Sequence, residues 1–238
     1  MISNDIPDFV PAELTRLGVR QEDRTLEQLD RYLKLLLEET ERVNLTAVRD
    51  REEAWRRHVL DSLSLLPLLE RDPPGARVID VGSGGGLPGL PVALCRPDLR
   101  LTLLEATAKK ARWLERCAAE LGRPDLRIVN QRAESCGHDP EHRAGYAAAL
   151  CRAVGALREI VEYCLPFLAI GGRLLAHKGA QAEEERVQAE RAIRELGGGA
   201  TGVIPAGVAG GVIVIVEKER PTPERYPRPP GRAKKRSL

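Results

Sequence analysis

The chain has 238 residues, a formal net charge of +2 and five cysteines. This length supports one substantial core with an appendage and excludes two full-sized domains. The near-neutral charge by itself indicates no polyanionic partner, and the widely spaced cysteines, which include no C-x-x-C pair, exclude the usual spacing of a zinc or redox site.

No targeting or membrane-spanning segment is expected. Residues 1–5 are polar and acidic, and the longest apolar run, residues 63–69, is interrupted by Ser64 and Pro67. An odd number of scattered cysteines is typical of reduced thiols in a cytosol. We therefore expect a cytoplasmic, monomeric protein that binds neither a membrane nor a metal ion.

The first part of the chain is predicted to be a helical appendage. Apolar positions recur at alternating steps of three and four, which is typical of an amphipathic helix. These positions are Leu26, Leu29, Leu33, Leu36, Thr40 and Val43. A second helical pattern covers residues 52–69, and the prolines at 73 and 74 end it. The appendage is therefore placed at residues 1–74.

Short β-like runs and helical runs then alternate. Strands are predicted at residues 77–81, 99–105, 126–129, 147–151 and 173–176, and helices at 107–121 and 157–168. This alternation predicts βαβ units and a Rossmann-like, doubly wound parallel sheet. The β-branched run 212–216 predicts a buried strand, and residues 203–204 could pair with it as an antiparallel edge. This α/β domain is placed at residues 75–220.

Residues 221–238 are predicted to be a basic, proline-rich tail. From Arg225 onward the tail has six basic residues and no acidic one. Such a composition cannot form a core of its own. Its charge favours contact with an RNA backbone.

A glycine-rich turn follows the first predicted strand, with five glycines within residues 82–89. Because glycines cost chain entropy and let the backbone approach a ligand closely, this turn predicts a cofactor loop. Residues 84–89 also satisfy the dinucleotide pattern G-x-G-x-x-G. However, Asp80 would repel a pyrophosphate, and no G-K-[ST] follows the glycines as ATP hydrolysis would require.

S-adenosylmethionine fits this loop better than a nucleotide with phosphates. Its α-ammonium and sulfonium suit the Asp80 carboxylate, and the loop backbone at Ser83, Gly84 and Gly86 can approach it. Glu105 ends the second predicted strand and can accept hydrogen bonds from both ribose hydroxyls. The loop therefore predicts an S-adenosylmethionine-dependent methyltransferase.

Further motifs lie along most of the chain. They are Asn44-Leu45-Thr46-Ala47, Arg57-His58-Val59-Leu60-Asp61-Ser62, Gly86-Leu87-Pro88-Gly89, Arg132-Ala133-Glu134, Arg152-Ala153 and Lys178-Gly179. With these motifs the sequence resembles the RsmG (GidB) family, methyltransferases that make N7-methylguanosine in 16S ribosomal RNA. One departure is Gly210-Gly211, where the family usually has Arg-His.

The resemblance also implies the cofactor contacts. By this similarity Gly82 and Leu87 line the cofactor site, Glu105, Ala106 and Thr107 hold the ribose end, Ala133 and Glu134 flank the adenine, and Arg152 closes the pocket. Arg152 could instead be a surface arginine that pairs with Glu134.

Four residues are predicted to contact RNA, and three of them have a structural alternative. His58 could be a hydrogen-bonded histidine that joins the appendage to the core. Asn44 could cap a helix, and Lys178 could be an ordinary exposed lysine. Arg228 belongs to the basic tail. No catalytic base is predicted, because the lone pair of guanine N7 carries no proton.

The expected partner is small-subunit ribosomal RNA, either naked or within the assembled subunit. Guanine N7 is hidden in the deep groove of an RNA duplex, so a loop or distorted element is the expected target. Two alternatives stay open: a methyltransferase of another macromolecule, and a non-catalytic RNA-binding assembly factor with the same fold.

Overall fold

A seven-stranded sheet lies at the centre of the computed structural model, which describes residues 6–19, 23–207 and 210–238. The strands are β1 Arg77–Val81, β2 Arg100–Leu104, β3 Arg127–Val129, β4 Tyr146–Arg152, β5 Leu168–Lys178, β6 Gly198–Pro205 and β7 Val212–Lys218. Their order across the sheet is β3-β2-β1-β4-β5-β7-β6.

Helices precede, connect and follow the strands. They are α1 Phe9–Arg16, α2 Asp23–Thr40, α3 Arg51–Ala54, α4 Asp61–Leu63, α5 Leu66–Leu69, α6 Gly89–Cys95, α7 Ala108–Glu120, α8 Ala133–Cys136, α9 Leu157–Cys164, α10 Ala182–Glu195 and α11 Arg232–Lys235. A π-helical turn covers Trp55–Leu60, and a 3-10 turn covers Leu165–Phe167. Within the described ranges, no helix is long and apolar enough to cross a membrane.

The sheet is doubly wound. Strands β1 to β5 pair in parallel, whereas β7 pairs antiparallel with both β5 and β6. Successive strand residues face opposite sides, so Val78 packs in the core that contains α1, α2, α6 and α7, and Ile79 packs in the core that contains α9 and α10. The predicted fold class, including the antiparallel edge, is confirmed.

The α2 helix packs the N-terminal part of the chain onto the sheet. All six positions of its predicted apolar face are buried. The helix ends at Thr40, so Val43 is buried from the turn that follows. The Tyr32 hydroxyl donates a hydrogen bond to the Gly85 carbonyl at 2.8 Å and so joins α2 to the glycine-rich turn. The described part of the appendage therefore shares one core with a face of the sheet.

The ends of some elements differ from the prediction. The predicted helix over residues 157–168 is wrong at its end, because α9 stops at Cys164 and Leu168 begins β5. Pro166 lacks an amide hydrogen, and the chain there forms a 3-10 turn. The α10 helix is absent from the predicted elements, since its buried residues are three alanines and Ile193, which give a weak apolar pattern.

The basic tail is docked on the body of the protein. Tyr226 is buried and its hydroxyl donates a hydrogen bond to Glu195. The Arg228 guanidinium binds Glu162 at 2.6 Å, and Glu162 is fully buried. The tail is held by charged and hydrogen-bonding contacts, which composition does not reveal, and by the buried Ala233.

Candidate active site

The glycine-rich turn joins β1 to α6 and has an unusual backbone. Gly82 has φ +78° and Gly86 has φ +89°, both in the left-handed region that favours glycine. A Cβ atom on Gly82 would lie 2.7 Å from the Val154 side chain, and one on Gly86 would lie 2.4 Å from Leu90. These two positions require glycine for both conformation and space.

Glu105 follows β2 and holds the glycine-rich turn in place. Its Oε2 accepts a hydrogen bond from the Gly84 amide at 2.9 Å, and its Oε1 accepts one from the Thr107 amide at 2.7 Å. A carboxylate has about four lone-pair sites, so two remain for other donors such as ribose hydroxyls. The structure therefore brings together Gly84, Glu105 and Thr107.

Asp80 lies beneath the turn. It is fully buried, and its Oδ2 accepts a hydrogen bond from the Gly89 amide at 3.0 Å. Its Oδ1 has no hydrogen-bond partner among the described residues. Burial raises the pKa of the Asp80 carboxyl to about 7. A positive charge nearby would stabilise the ionised form.

A cavity of about 200 Å³ opens beside the glycine-rich turn, and we call it the cofactor cavity. Its walls include the predicted contacts Gly82, Ala106, Ala133 and Glu134, together with Gln131, Arg132, Val154 and Tyr163. Val154, in the loop after β4, and Tyr163, within α9, are missing from the predicted contacts, because their sequence signal does not differ from that of core packing. Leu87 packs in the hydrophobic core, and Ser83 donates a hydrogen bond to the Asp80 carbonyl at 3.0 Å.

The tail contacts Glu134, a residue of the wall of this cavity. The Gly231 amide donates a hydrogen bond to Glu134 Oε1 at 2.9 Å. Arg228 lies three residues earlier and is held by Glu162. The exposed residues Arg232, Lys234, Lys235 and Arg236 follow directly after this contact with Glu134.

A polar network joins the appendage to the end of β4. His58 Nε2 lies 2.6 Å from Thr46 Oγ1, and Arg152 Nη2 lies 3.2 Å from His58 Nδ1. Because an arginine nitrogen only donates, Nδ1 is the acceptor and Nε2 carries the hydrogen. Burial, followed by the charge of Arg152, lowers the pKa of His58 to about 4, so the ring is neutral at pH 7. His58 thus joins the appendage to the end of β4 through hydrogen bonds, as its structural alternative predicts.

Arg152 pairs with Asp61, and the alternative pairing with Glu134 is wrong. Arg152 Nη1 lies 3.4 Å from Asp61 Oδ2. Asp61 follows the π-helical turn that carries His58, and such turns are frequent at functional sites.

A second cavity of about 560 Å³, the substrate cavity, lies at the carboxyl ends of β4 and β5. Its walls include Asp61, Arg152, Ala153, His177, Lys178 and Gly211. Ala153 borders this cavity and the next residue, Val154, borders the cofactor cavity. Ligands of doubly wound sheets bind at the carboxyl edge near the point where strand order reverses, which here falls between β1 and β4.

The remaining predicted substrate contacts lie in different settings. Lys178 Nζ pairs with Glu185 at 2.7 Å and donates a hydrogen bond to the Gly155 carbonyl at 2.8 Å. Asn44 is exposed in the loop after α2. In the same loop Leu45 packs beside Gly85 of the glycine-rich turn. Gly211 lies on the wall of the substrate cavity and adds no side chain to it.

The fold and the cofactor loop place the chain in the class of Rossmann-like methyltransferases. In fold it is similar to a Corynebacterium glutamicum protein of known structure, with a TM-score of 0.56 and 16% identity over 90% of this chain and 98% of that chain. It is also similar to a predicted O-methyltransferase from Agrobacterium tumefaciens, with a TM-score of 0.53 and 17% identity over 68% of this chain and 80% of that one.

The chain belongs to the GidB family, described as rRNA small subunit methyltransferase G, whose sequence profile matches residues 25–204. It is 43% identical to the ribosomal RNA small subunit methyltransferase G of Moorella thermoacetica, over 93% of each chain. It is also 43% identical to the protein of the same name from Roseiflexus castenholzii, over 94% of this chain and 96% of that one. The predicted family is confirmed.

Proposed function

We propose that this protein transfers a methyl group from S-adenosylmethionine to N7 of a guanosine in the 16S ribosomal RNA of the small subunit. The observation that carries the proposal is the meeting of motifs that lie far apart in the sequence. They border two cavities that adjoin at Ala153 and Val154. The names of the relatives support the same substrate.

The cofactor cavity fits S-adenosylmethionine. Gly82 and Val154 form part of its wall, and a Cβ atom on Gly82 would lie 2.7 Å from the Val154 side chain and displace it. We assign the ribose to Glu105 and the adenine to the walls near Ala133 and Glu134. The unpartnered oxygen of Asp80 favours a cationic ligand above the glycine-rich turn. When bound, the cofactor supplies a methyl group on a positively charged sulfur.

The protein positions the reactants and transfers no proton itself. The N7 lone pair forms the new bond to carbon, and the electron pair of the sulfur–carbon bond stays on sulfur. Because N7 carries no proton, no general base is needed and orientation supplies most of the rate. His58 is bonded to Thr46 and Arg152, so we assign it the task of fixing Arg152. The expectation that no metal takes part stays a prediction.

The RNA is proposed to lie across both cavities. The exposed tail residues Arg232, Lys234, Lys235 and Arg236 favour contact with phosphates near the cofactor cavity. We propose Asn44 and Lys178 as further contacts at the rim of the site. Arg228 is engaged with Glu162, so its contribution to substrate binding is to place the tail.

Methyl transfer from labelled S-adenosylmethionine tests the proposal. Small subunits and naked 16S RNA from cells that lack the enzyme would be incubated with the purified protein, and the RNA and protein fractions counted separately. Label in the RNA is expected. Label in protein would indicate another substrate, and absence of S-adenosylmethionine binding by calorimetry would favour a non-catalytic assembly factor.

A further inference from the structure

We infer that the substrate cavity binds the guanine base and that the Asp61 carboxylate accepts hydrogen bonds from guanine N1–H and the 2-amino group. This inference rests on the proposed function and adds the residue that selects guanine. It concerns a cavity that adjoins the cofactor cavity through one short segment, Ala153 and Val154.

The segment between the cavities is strained. Ala153 has φ +55°, a left-handed conformation that is unfavourable for a residue with a Cβ atom. Such strain is found at functional sites, where the surrounding structure holds it. Here it places Ala153 on the wall of one cavity and Val154 against Gly82 in the other. A base in the substrate cavity would therefore lie next to the methyl donor.

The polar atoms of the cavity are incompletely paired. Asp61 is buried, and within the described ranges no group donates a hydrogen bond to its carboxylate; the Arg152 guanidinium approaches only to 3.4 Å. Arg152 Nη1 is buried without a hydrogen-bond partner among the described residues. His177 Nε2 donates a hydrogen bond to the Asp61 carbonyl at 2.9 Å, so its Nδ1 is an acceptor. This Nδ1 is also buried without a hydrogen-bond partner among the described residues. Buried polar groups without partners cost free energy and favour a ligand that supplies them.

This set of atoms matches guanine. Along one edge guanine has the acceptor O6 beside the donors N1–H and the 2-amino group, while N7 lies on the other side of O6. Asp61 would accept from the two donors, and Arg152 Nη1 beside it would donate to O6. Adenine carries an amino group at position 6 and an acceptor at N1. Its amino group would face the Arg152 donor and its N1 would face the Asp61 carboxylate, so both contacts would be lost. N7 stays free to react.

Asp61 would also favour the reaction. Methylation makes the purine cationic, which strengthens N1–H as a donor and strengthens its attraction to a carboxylate. An interaction that is stronger in the transition state than in the ground state raises the rate of the chemical step. The charge of Arg152 is balanced by Asp61, so the pair adds no net cation beside the developing positive charge.

A single-nucleotide replacement tests this inference. After the methylated guanosine has been mapped, 16S RNA would be ligated with guanosine or inosine at that position and reconstituted into small subunits. Inosine lacks only the 2-amino group. Wild-type protein is expected to methylate inosine about 10- to 100-fold more slowly, the range for one lost buried hydrogen bond to a charged group. Equal rates would overturn the inference.

The Asp61→Asn variant tests the residue itself. Its rate on guanosine is expected to fall by about 10- to 100-fold, mainly in kcat, with unchanged binding of S-adenosylmethionine. Its guanosine-to-inosine ratio is expected to fall toward one, whereas a purely structural effect would leave the ratio unchanged. An unchanged ratio would overturn the role of Asp61.

Two controls separate the outcomes. Asp125→Asn removes a carboxylate that pairs with Arg123 outside both cavities, and it is expected to keep the wild-type ratio. If the Asp61→Asn variant does not bind the cofactor, the Asp61→Ser variant is used instead and its guanosine-to-inosine ratio is measured. Failure of the wild-type protein to methylate any guanosine would refute the proposed function, whereas methylation without discrimination would refute this inference alone.

Discussion

At the scale of single residues, Gly82 and Asp80 have different positions in and beneath the glycine-rich turn. Gly82 faces the cofactor cavity. Asp80 is buried beneath the turn and bound to the Gly89 amide. A motif reveals which residues act together, but it does not reveal which of them the ligand meets, because that depends on the direction of each side chain.

The space at Gly82 can be tested with a matched pair of substitutions. Gly82→Ala and Gly75→Ala both introduce a side chain at positive φ, but only the first meets another group, Val154 at 2.7 Å. Both variants are expected to lose about 1 to 2 kcal/mol of stability from the backbone conformation. Only Gly82→Ala should also displace Val154 on the cavity wall and therefore bind S-adenosylmethionine at least about tenfold more weakly by calorimetry. A tenfold change corresponds to about 1.4 kcal/mol of binding free energy. Similar affinities of the two variants would contradict the position of the cavity.

His58 predicts a pH dependence of stability. Its pKa is about 4 in the folded protein, below the ordinary value of 6.5, so between these values the unfolded chain binds a proton that the folded chain does not. The free energy of unfolding should therefore fall as the pH drops from 7 to 4.5, by about 2 to 3 kcal/mol from this group. Urea denaturation of wild type and His58→Gln at both pH values isolates this contribution. An equal fall in the two proteins would contradict it.

At the scale of secondary structure, hydrophobic periodicity predicts α2 and the parallel strands well, since each buries one regular face. It fails where the buried side chains are small or charged. The α10 helix contacts the core mainly through alanines, and the tail is held by Arg228 and Glu162. Alanines give only a weak apolar pattern, and ion pairs between segments that are distant in sequence give no periodic signal, so neither contact could be predicted.

The tail contact gives a prediction of its own. Arg228→Met would leave the Glu162 carboxylate fully buried without its cation. Removing one partner of a buried pair costs about 3 to 5 kcal/mol, so the midpoint of thermal unfolding should fall by several degrees. The double variant Arg228→Met with Glu162→Gln should recover part of that loss in differential scanning calorimetry. A single variant as stable as wild type would show that the tail is not docked there.

At the scale of the whole molecule, the appendage and the sheet contribute walls to the two cavities, and the tail contacts a wall residue of the cofactor cavity. Asp61 comes from the N-terminal helices, Arg152 and Lys178 from the sheet, and Gly231 from the tail. The resemblance predicts most of these motifs as functional. It does not predict the pairing of Arg152 with Asp61, because sequence order does not reveal which motifs meet.

The exposed charges of the tail can be separated from its docking. Replacing Arg232, Lys234, Lys235 and Arg236 by glutamine keeps Arg228 and the contact at Glu134. Binding to small subunits should weaken, and the dependence of log Kd on log salt should become shallower, because fewer counterions are released. Affinity for S-adenosylmethionine should stay the same. An unchanged salt dependence would show that these four residues do not contact the RNA.

The most direct test of the proposed reaction is nucleoside analysis by mass spectrometry of small subunits that were treated with the protein and S-adenosylmethionine. The account predicts N7-methylguanosine at one position of 16S RNA, and its loss when Asp80→Ala protein is used. A methyl group on another base or on another atom of guanine would contradict the account, and so would full activity of the Asp80→Ala protein.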